Sequence, residues 1–291
     1  MSDVHPYADP AYVAPLVPEG GRVVVVDAWQ AALIIRPVPG GGFDALGSYP
    51  MTPLTKDADI ASGLSALVKE DLISVCLVPD PLLSPPMEAL SHDLAWIRPF
   101  KSHLLIEGAY APTKHHRDRI RRGQRRCRIE SAPLHVWYDE WVALYAGLVE
   151  QRSITGMANF SKDYFRQLSA MADIQAFAAF CDDRMAGMTL WFACDGVVYN
   201  HLTACNALGY ANGAAFALYD AAITHFASEG VINLGGGAGT SNSDESGLFA
   251  FKEGFSNSRV MAHICGHVLS PEIYAGLSKG VETTFFPAYR A

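Results

Sequence analysis

Apolar positions along this chain recur with two periods, and the places where one period gives way to the other mark its elements. Short β-branched runs over 22–27 and 31–36 predict two strands joined through Trp29 and Gln30 as a hairpin. Glycines 40–42 mark a loop, and the proline-rich 49–53 is unsuited to an interior strand. The pattern then predicts a helix over 59–69, a strand over 72–78 and another near 102–107. Pro112 suits a helix start and Gly123 its end. Beyond residue 129 the order of elements begins again. Trp141, Leu144, Tyr145 and Leu148 at helical spacing predict an amphipathic helix over 137–152, with a second over 162–171. Strands follow over 174–181, 185–194 and 197–204, the last two joined by the hairpin signal Asp195-Gly196. A helix over 212–229, with Asn212 as its N-cap and Gly230 closing it, leads to an apolar strand over 231–234. A strand over 260–268 and a helix from Pro271 finish the chain. The first twenty residues read as an irregular arm.

Composition narrows the class. Of 291 residues half are apolar, enough for one large core or two smaller ones. No apolar run approaches the roughly 20 residues of a membrane helix, and the start lacks a signal peptide's basic and apolar stretches, so a cytoplasmic location is expected. Six cysteines without a Cys-x-x-Cys pair are expected to be reduced and buried. The net charge of −8 argues against indiscriminate nucleic-acid binding, yet the charge is segregated: 114–128 holds eight of the 22 Lys and Arg against the single Asp118. As a helix it would place Lys114, Arg117 and Arg121 on one face, where guanidinium groups hold phosphate by paired hydrogen bonds.

Several chemistries can be weighed on spacing. The run 231–239, an apolar strand into Gly235-Gly-Gly-Ala-Gly239, has the form of the methyltransferase turn that approaches S-adenosylmethionine. The 52 residues after Gly239 are too few for the βα units such a sheet adds there, and Thr240 breaks the dinucleotide fingerprint. His263, Cys265 and His267 share one strand face, but residues four apart on a strand stand about 13 Å from each other, too far for a common metal. No metal site is expected. Serine-hydrolase and P-loop motifs are absent from the sequence.

Taken together, the strand over 197–204, the loop Asn206-Ala-Leu-Gly209-Tyr-Ala211, the following helix and the strand over 231–234 resemble the acyl-donor core of the GNAT superfamily. Gly209 and Ala211 fit that family's Gln/Arg-x-x-Gly-x-Gly/Ala loop, with Asn206 in place of its first residue. Downstream, the glycine turn, Asp244, Gly247-Leu-Phe and Phe251-Lys252-x-x-Phe255 resemble the C-terminal signature of Fem-type (FemABX-like) aminoacyltransferases and their acetyltransferase-like relatives. The basic stretch 114–123 is similar to the Arg-rich helix those proteins carry between two GNAT-like halves.

The resemblance implies an α/β fold of the α+β type, with two tandem GNAT-like halves over 1–130 and 131–291, each a twisted mixed sheet flanked by helices. It implies transfer of an acyl or aminoacyl group from acyl-CoA or aminoacyl-tRNA, as cosubstrate and not as a tightly bound cofactor, to an amine by direct attack. Lys252, beside Phe251, would neutralise charge developing during transfer. Tyr199, His201 and Asp244, with Glu245, are candidates to take the amine proton or orient the acceptor. Asn206, Gly209, Ala211, Asn212 and Gly213 would hold the donor, because free N–H groups and the helix dipole favour an anion there. Lys114, Arg117 and Arg121 would hold phosphate or acceptor. Expected partners are a small-molecule, glycan or peptide amine, with tRNA also a candidate. The alternatives are a non-catalytic GNAT-fold module that binds an anion and a SAM-dependent methyltransferase.

Overall fold

The computed structural model describes residues 4–237 and 247–291. In chain order these form α1 (Pro10–Val13), β1 (Arg22–Val26), β2 (Ala31–Pro37), β3 (Phe43–Leu46), α2 (Ile60–Val68), β4 (Leu72–Leu77), α3 (Met87–Asp93) and β5 (Trp96–Ile106). Then come α4 (Lys114–Gln124), β6 (Arg128–Pro133), α5 (Tyr138–Arg152), α6 (Lys162–Ala170), β7 (Gln175–Cys181), β8 (Arg184–Cys194) and β9 (Val197–Cys205). The remainder comprises α7 (Ala207–Asn212), α8 (Ala214–His225), β10 (Val231–Gly235), α9 (Gly247–Glu253), β11 (Ser258–Val268) and α10 (Pro271–Leu277).

Two compact units result, one of residues 101–260 and one of 2–100 with 261–291. In the second unit the strands lie in the order β1-β2-β3-β4-β11. Only β3 and β4 are parallel, and α2 connects them. Its core is the apolar face of α2 (Ile60, Leu64, Leu67) packed on Leu33, Ile35, Val75 and Cys265 of the strands. Asp59 caps α2 by accepting from the Ser62 amide at 2.9 Å. In the first unit the order is β5-β10-β9-β8-β7-β6. Here only β9 and β10 are parallel, and α7 with α8 connects them. Leu218, Ala222 and Ile223 of α8 pack on Trp191, Val198, Ile232 and Leu234.

Each unit is thus a mixed sheet in which an antiparallel run enters one helix-connected parallel pair, an arrangement of the α+β type. The unit boundaries depart from the halves 1–130 and 131–291. Residue 130 lies inside β6, and the edge partners are crossed in the chain: β5, which follows β4, pairs with β10, whereas β11, which follows β10, pairs with β4. The adjacent antiparallel strands and the single parallel pair also exclude, for this unit, the doubly wound sheet that the methyltransferase reading requires.

Several elements differ from the pattern. The expected arm contains α1, whose Tyr12 and Val13 are buried. The helix expected over 212–229 starts earlier and is broken in two. Asn206, not Asn212, is the N-cap, and Gly213, in the left-handed region at φ 74°, ends α7 and starts α8. Gly123 does not end its helix but lies inside α4, where an added Cβ would stand 2.6 Å from the Gly213 carbonyl oxygen. Cys127 and Cys181, expected as free thiols, form a disulfide, while Cys76, Cys205 and Cys265 are buried thiols.

Candidate active site

All the residues of this site that the structure describes lie in the unit formed by 101–260. Its framework is the parallel pair. The β9–β10 ladder runs only from Val197↔Val231 to Tyr199↔Asn233, after which β9 continues to Cys205 and β10 to Gly235. Beyond Asn233, β10 shifts register against β5 at Gly235. The distal half of β9 is therefore hydrogen-bonded to β8 but not to β10, leaving one row of its backbone groups outside that ladder.

At the end of β10 stands Lys252. Helix α9 carries it inward, and its side chain is buried, 8% exposed, with Nζ donating to the Gly236 carbonyl at 3.2 Å. Burial, reinforced by the neighbouring Lys101 ammonium, pushes its pKa down to about 7. Among the described residues no carboxylate forms an ion pair with it. Lys101, on β5, donates to the next carbonyl, that of Gly237, at 3.3 Å, and burial lowers its pKa too.

Asn233 organises the turn. Its Oδ1 accepts from the Gly235 amide at 2.8 Å, which fixes the amide orientation, so Nδ2 donates to His103 Nδ1 at 3.3 Å. His103 therefore uses Nδ1 as an acceptor and is neutral. Burial first, then the charges of Lys252 and Lys101, push its pKa down to about 3. Lys101, His103 and Asn233 were not singled out from the sequence as site residues. Their only signal is polar residues in otherwise apolar strands.

Phe251 faces an aromatic cluster with Phe216, Tyr219, Phe255 and His116. His116 Nε2 donates to the Phe251 carbonyl at 2.8 Å and Thr113 Oγ1 hydrogen-bonds its Nδ1 at 3.1 Å, so the basic helix α4 is fastened to the helix that bears Lys252. Lys114, Arg117 and Arg121 are exposed on α4 as expected. Arg117 donates to the Pro112 carbonyl, and Arg121 lies 3.8 Å from Asp118. Arg122 reaches the Ala211 carbonyl at 3.3 Å.

Tyr199 and His201 are placed differently from a proton-transfer pair. Tyr199 stacks on Phe192 with ring centroids 5.0 Å apart. His201 Nε2 lies 2.7 Å from Tyr164 Oη, and burial pushes its pKa down to about 3, which makes it a weak base. Asp244, with Glu245, lies outside the described residues.

Asn206 caps α7, accepting from the Gly209 amide at 3.1 Å and donating to the Met185 carbonyl at 2.9 Å. Gly209 packs against β8: an added Cβ would stand 2.2 Å from the Ala186 carbonyl oxygen. Asn212 donates to the Leu208 carbonyl, inside α7. Beside this cap opens a groove of about 450 Å³ between α5 and the end of β9, with Glu140, Gln151, Cys205 and Asn206 in its wall and no basic side chain. Among the described residues no cluster of three or more His, Cys, Asp and Glu side chains could hold a metal ion.

Comparison with known proteins bears on this geometry. Residues 114–245 match the family model described as acetyltransferase (GNAT) domain. Among curated proteins none matches the sequence. In solved structures the fold recurs at low identity. The C-terminal domain of a protein assigned as a lysylphosphatidylglycerol synthetase from Agrobacterium fabrum has a TM-score of 0.58 and 14% identity, over 84% of this chain and 83% of that one. L-PGS from Bacillus licheniformis has a TM-score of 0.60 and 12% identity, over 84% and 83%. FemX has a TM-score of 0.58 and 10% identity, over 84% and 85%. Residues 114–245 thus match the GNAT domain model, and the chain shares its fold with these three solved structures.

Proposed function

We propose that this chain transfers an acyl or aminoacyl group from an activated donor to an amine, by direct attack and without a covalent enzyme intermediate. The observation that carries the reading is Lys252: a buried ammonium placed where the parallel pair of a GNAT domain ends. The amine lone pair forms the new C–N bond, the carbonyl π electrons move to oxygen, and collapse expels the donor's thiolate or ribose oxygen while the amine loses its proton. A cation in a water-poor setting stabilises charge on the carbonyl oxygen or the leaving group more than it would in bulk water. With a pKa of about 7, Lys252 is also suited to protonate the leaving group near neutral pH.

His201, a weak base, is a poorer proton acceptor than expected, and Tyr199 serves the packing of β8 against β9. An extended donor arm would run along the side of β9 that its ladder with β10 leaves uncovered beyond Tyr199. Acyl-CoA and aminoacyl-tRNA both remain as donors, neither tightly bound in this reading. The groove beside Asn206 offers no cation to phosphate, whereas the exposed face of α4 does, and the name of the lysylphosphatidylglycerol synthetase neighbour is a reason to test aminoacyl donors. The acceptor is a small-molecule, glycan or peptide amine.

The test offers the purified protein labelled acyl-CoA and labelled aminoacyl-tRNA with a panel of amine acceptors. Label transferred from either donor supports the reading. Binding of tRNA or coenzyme A with no transfer to any amine favours the non-catalytic anion-binding module instead.

A further inference from the structure

Where β8 and β9 meet α8, polar side chains form a ring in otherwise apolar strands. Thr189 and Trp191 of β8 and Tyr219 of α8 are buried, whereas Asn200 and Thr203 of β9 are half-buried. Thr189 Oγ1 accepts from Trp191 Nε1 and from Asn200 Nδ2, each at 2.9 Å. Those bonds occupy both lone pairs of the hydroxyl, so in its 2.7 Å bond with Thr203 Oγ1 it is Thr189 that donates. Tyr219, whose phenol is kept protonated by burial, donates to Asn200 Oδ1 at 2.7 Å. The Thr203 hydrogen is left with a long bond, to Tyr219 Oη at 3.4 Å.

Donation therefore runs from Trp191 and Asn200 through Thr189 to Thr203, each bond polarising the next. Thr203 ends the series as an oriented hydroxyl whose hydrogen is poorly engaged within the protein. Its place on β9 is equally telling. Counted from the Tyr199↔Asn233 pair, β10 ends level with His201, and Thr203 comes two positions later, about 7 Å farther along the strand. We propose that Thr203 donates a hydrogen bond to an amide carbonyl in the arm of the acyl donor, and that the donor is accordingly a thioester on an amide-bearing arm. An arm lying along the uncovered side of β9 carries its amides past the end of β10, whereas the aminoacyl ester of a ribose has no amide to bring there. The inference rests on the acyl-transfer reading for the presence of a donor, but the hydroxyl's role is tested by binding alone.

Coenzyme A carries such an arm, and its adenine-nucleotide half, adenosine 3′-phosphate 5′-diphosphate, does not. Both probes are titrated by calorimetry into the parent, Thr203→Val and Thr203→Ser proteins. In Thr203→Val the Thr189 hydroxyl keeps the Leu202 carbonyl, at 3.3 Å, as its acceptor, so no buried donor is stranded. The expected result is a loss of about three- to tenfold in coenzyme A affinity in Thr203→Val and recovery in Thr203→Ser, with the nucleotide half bound alike by all three. Coenzyme A bound equally by the parent and Thr203→Val, or not bound by the parent, overturns the proposal. So does an equal loss for the nucleotide half, which would place the effect in the fold. Coenzyme A binding that depends on the Thr203 hydroxyl, in a protein that transfers no acyl group to any amine, would keep the hydroxyl's role and defeat the functional reading instead.

Discussion

Lys252 is an ionisable group moved far from its ordinary range, and that has a thermodynamic signature. Its pKa falls from 10.5 in the unfolded chain to about 7 in the folded one, so between those values the unfolded state binds more protons and stability must rise with pH. Below about pH 7 the folded protein carries the full cost of a buried ammonium. Lys252→Met is therefore expected to be more stable than the parent at pH 7, with the difference shrinking toward pH 10. Chemical denaturation at several pH values measures it. A gap that stays constant across this window would mean Lys252 is solvated. The sequence marked Lys252 through its aromatic neighbours, but it was silent on Lys101 and His103. Both sit in a strand whose partners come from more than a hundred residues downstream, and only the tertiary pairing of β5 with β10 brings them to the turn.

Among the elements, α7 and α4 show how a local pattern is legible while its purpose is not. The Asn206-x-x-Gly209 spacing resembles an anion-holding loop. In the structure it is a capped helical turn in which Gly209 permits close contact with Ala186. Gly209→Ala is expected to destabilise by about 1–3 kcal/mol through overpacking, measured by urea denaturation, with little change if the backbone of β8 can yield. Gly123 had the signature of a helix terminator, since a glycine near a helix end looks the same whether it ends the helix or admits a neighbour. It lies against Gly213, so Gly123→Leu should separate α4 from α8 and weaken any ligand that needs both. Loss of stability without loss of helical circular dichroism is the expected result. The strand and helix sequence of both units was legible from periodicity, except α1, β3, α3, β6, α7 and α9, which are short or lack a clear alternation.

At the scale of the molecule, the order of elements did disclose a repetition, but not where the compact units divide. A seam placed by chain order cannot see that β5 and β11 pair away from the strands that precede them. The 2–100 and 261–291 unit therefore depends on its distant C-terminal segment. Asp44, buried at 1% exposure, is held by Arg36 at 2.8 Å and by Arg290 at 2.7 and 3.0 Å, with Tyr289 Oη at 3.1 Å. Removing one partner of a buried carboxylate leaves charge uncompensated. Arg290→Met is expected to cost about 3 kcal/mol, read by denaturation, and Arg290→Lys less. Equal stability of Arg290→Met and the parent would show that Arg36 suffices.

The central claim is that Lys252 assists acyl transfer to an amine, and the most direct measurement is kcat/KM for transfer of a labelled acyl group from the donor the parent uses, compared with Lys252→Ala under identical conditions. The expected result is a loss on the order of 100-fold or more, carried chiefly by kcat, in a variant that still folds. Full activity in Lys252→Ala would contradict it and remove that residue from the mechanism.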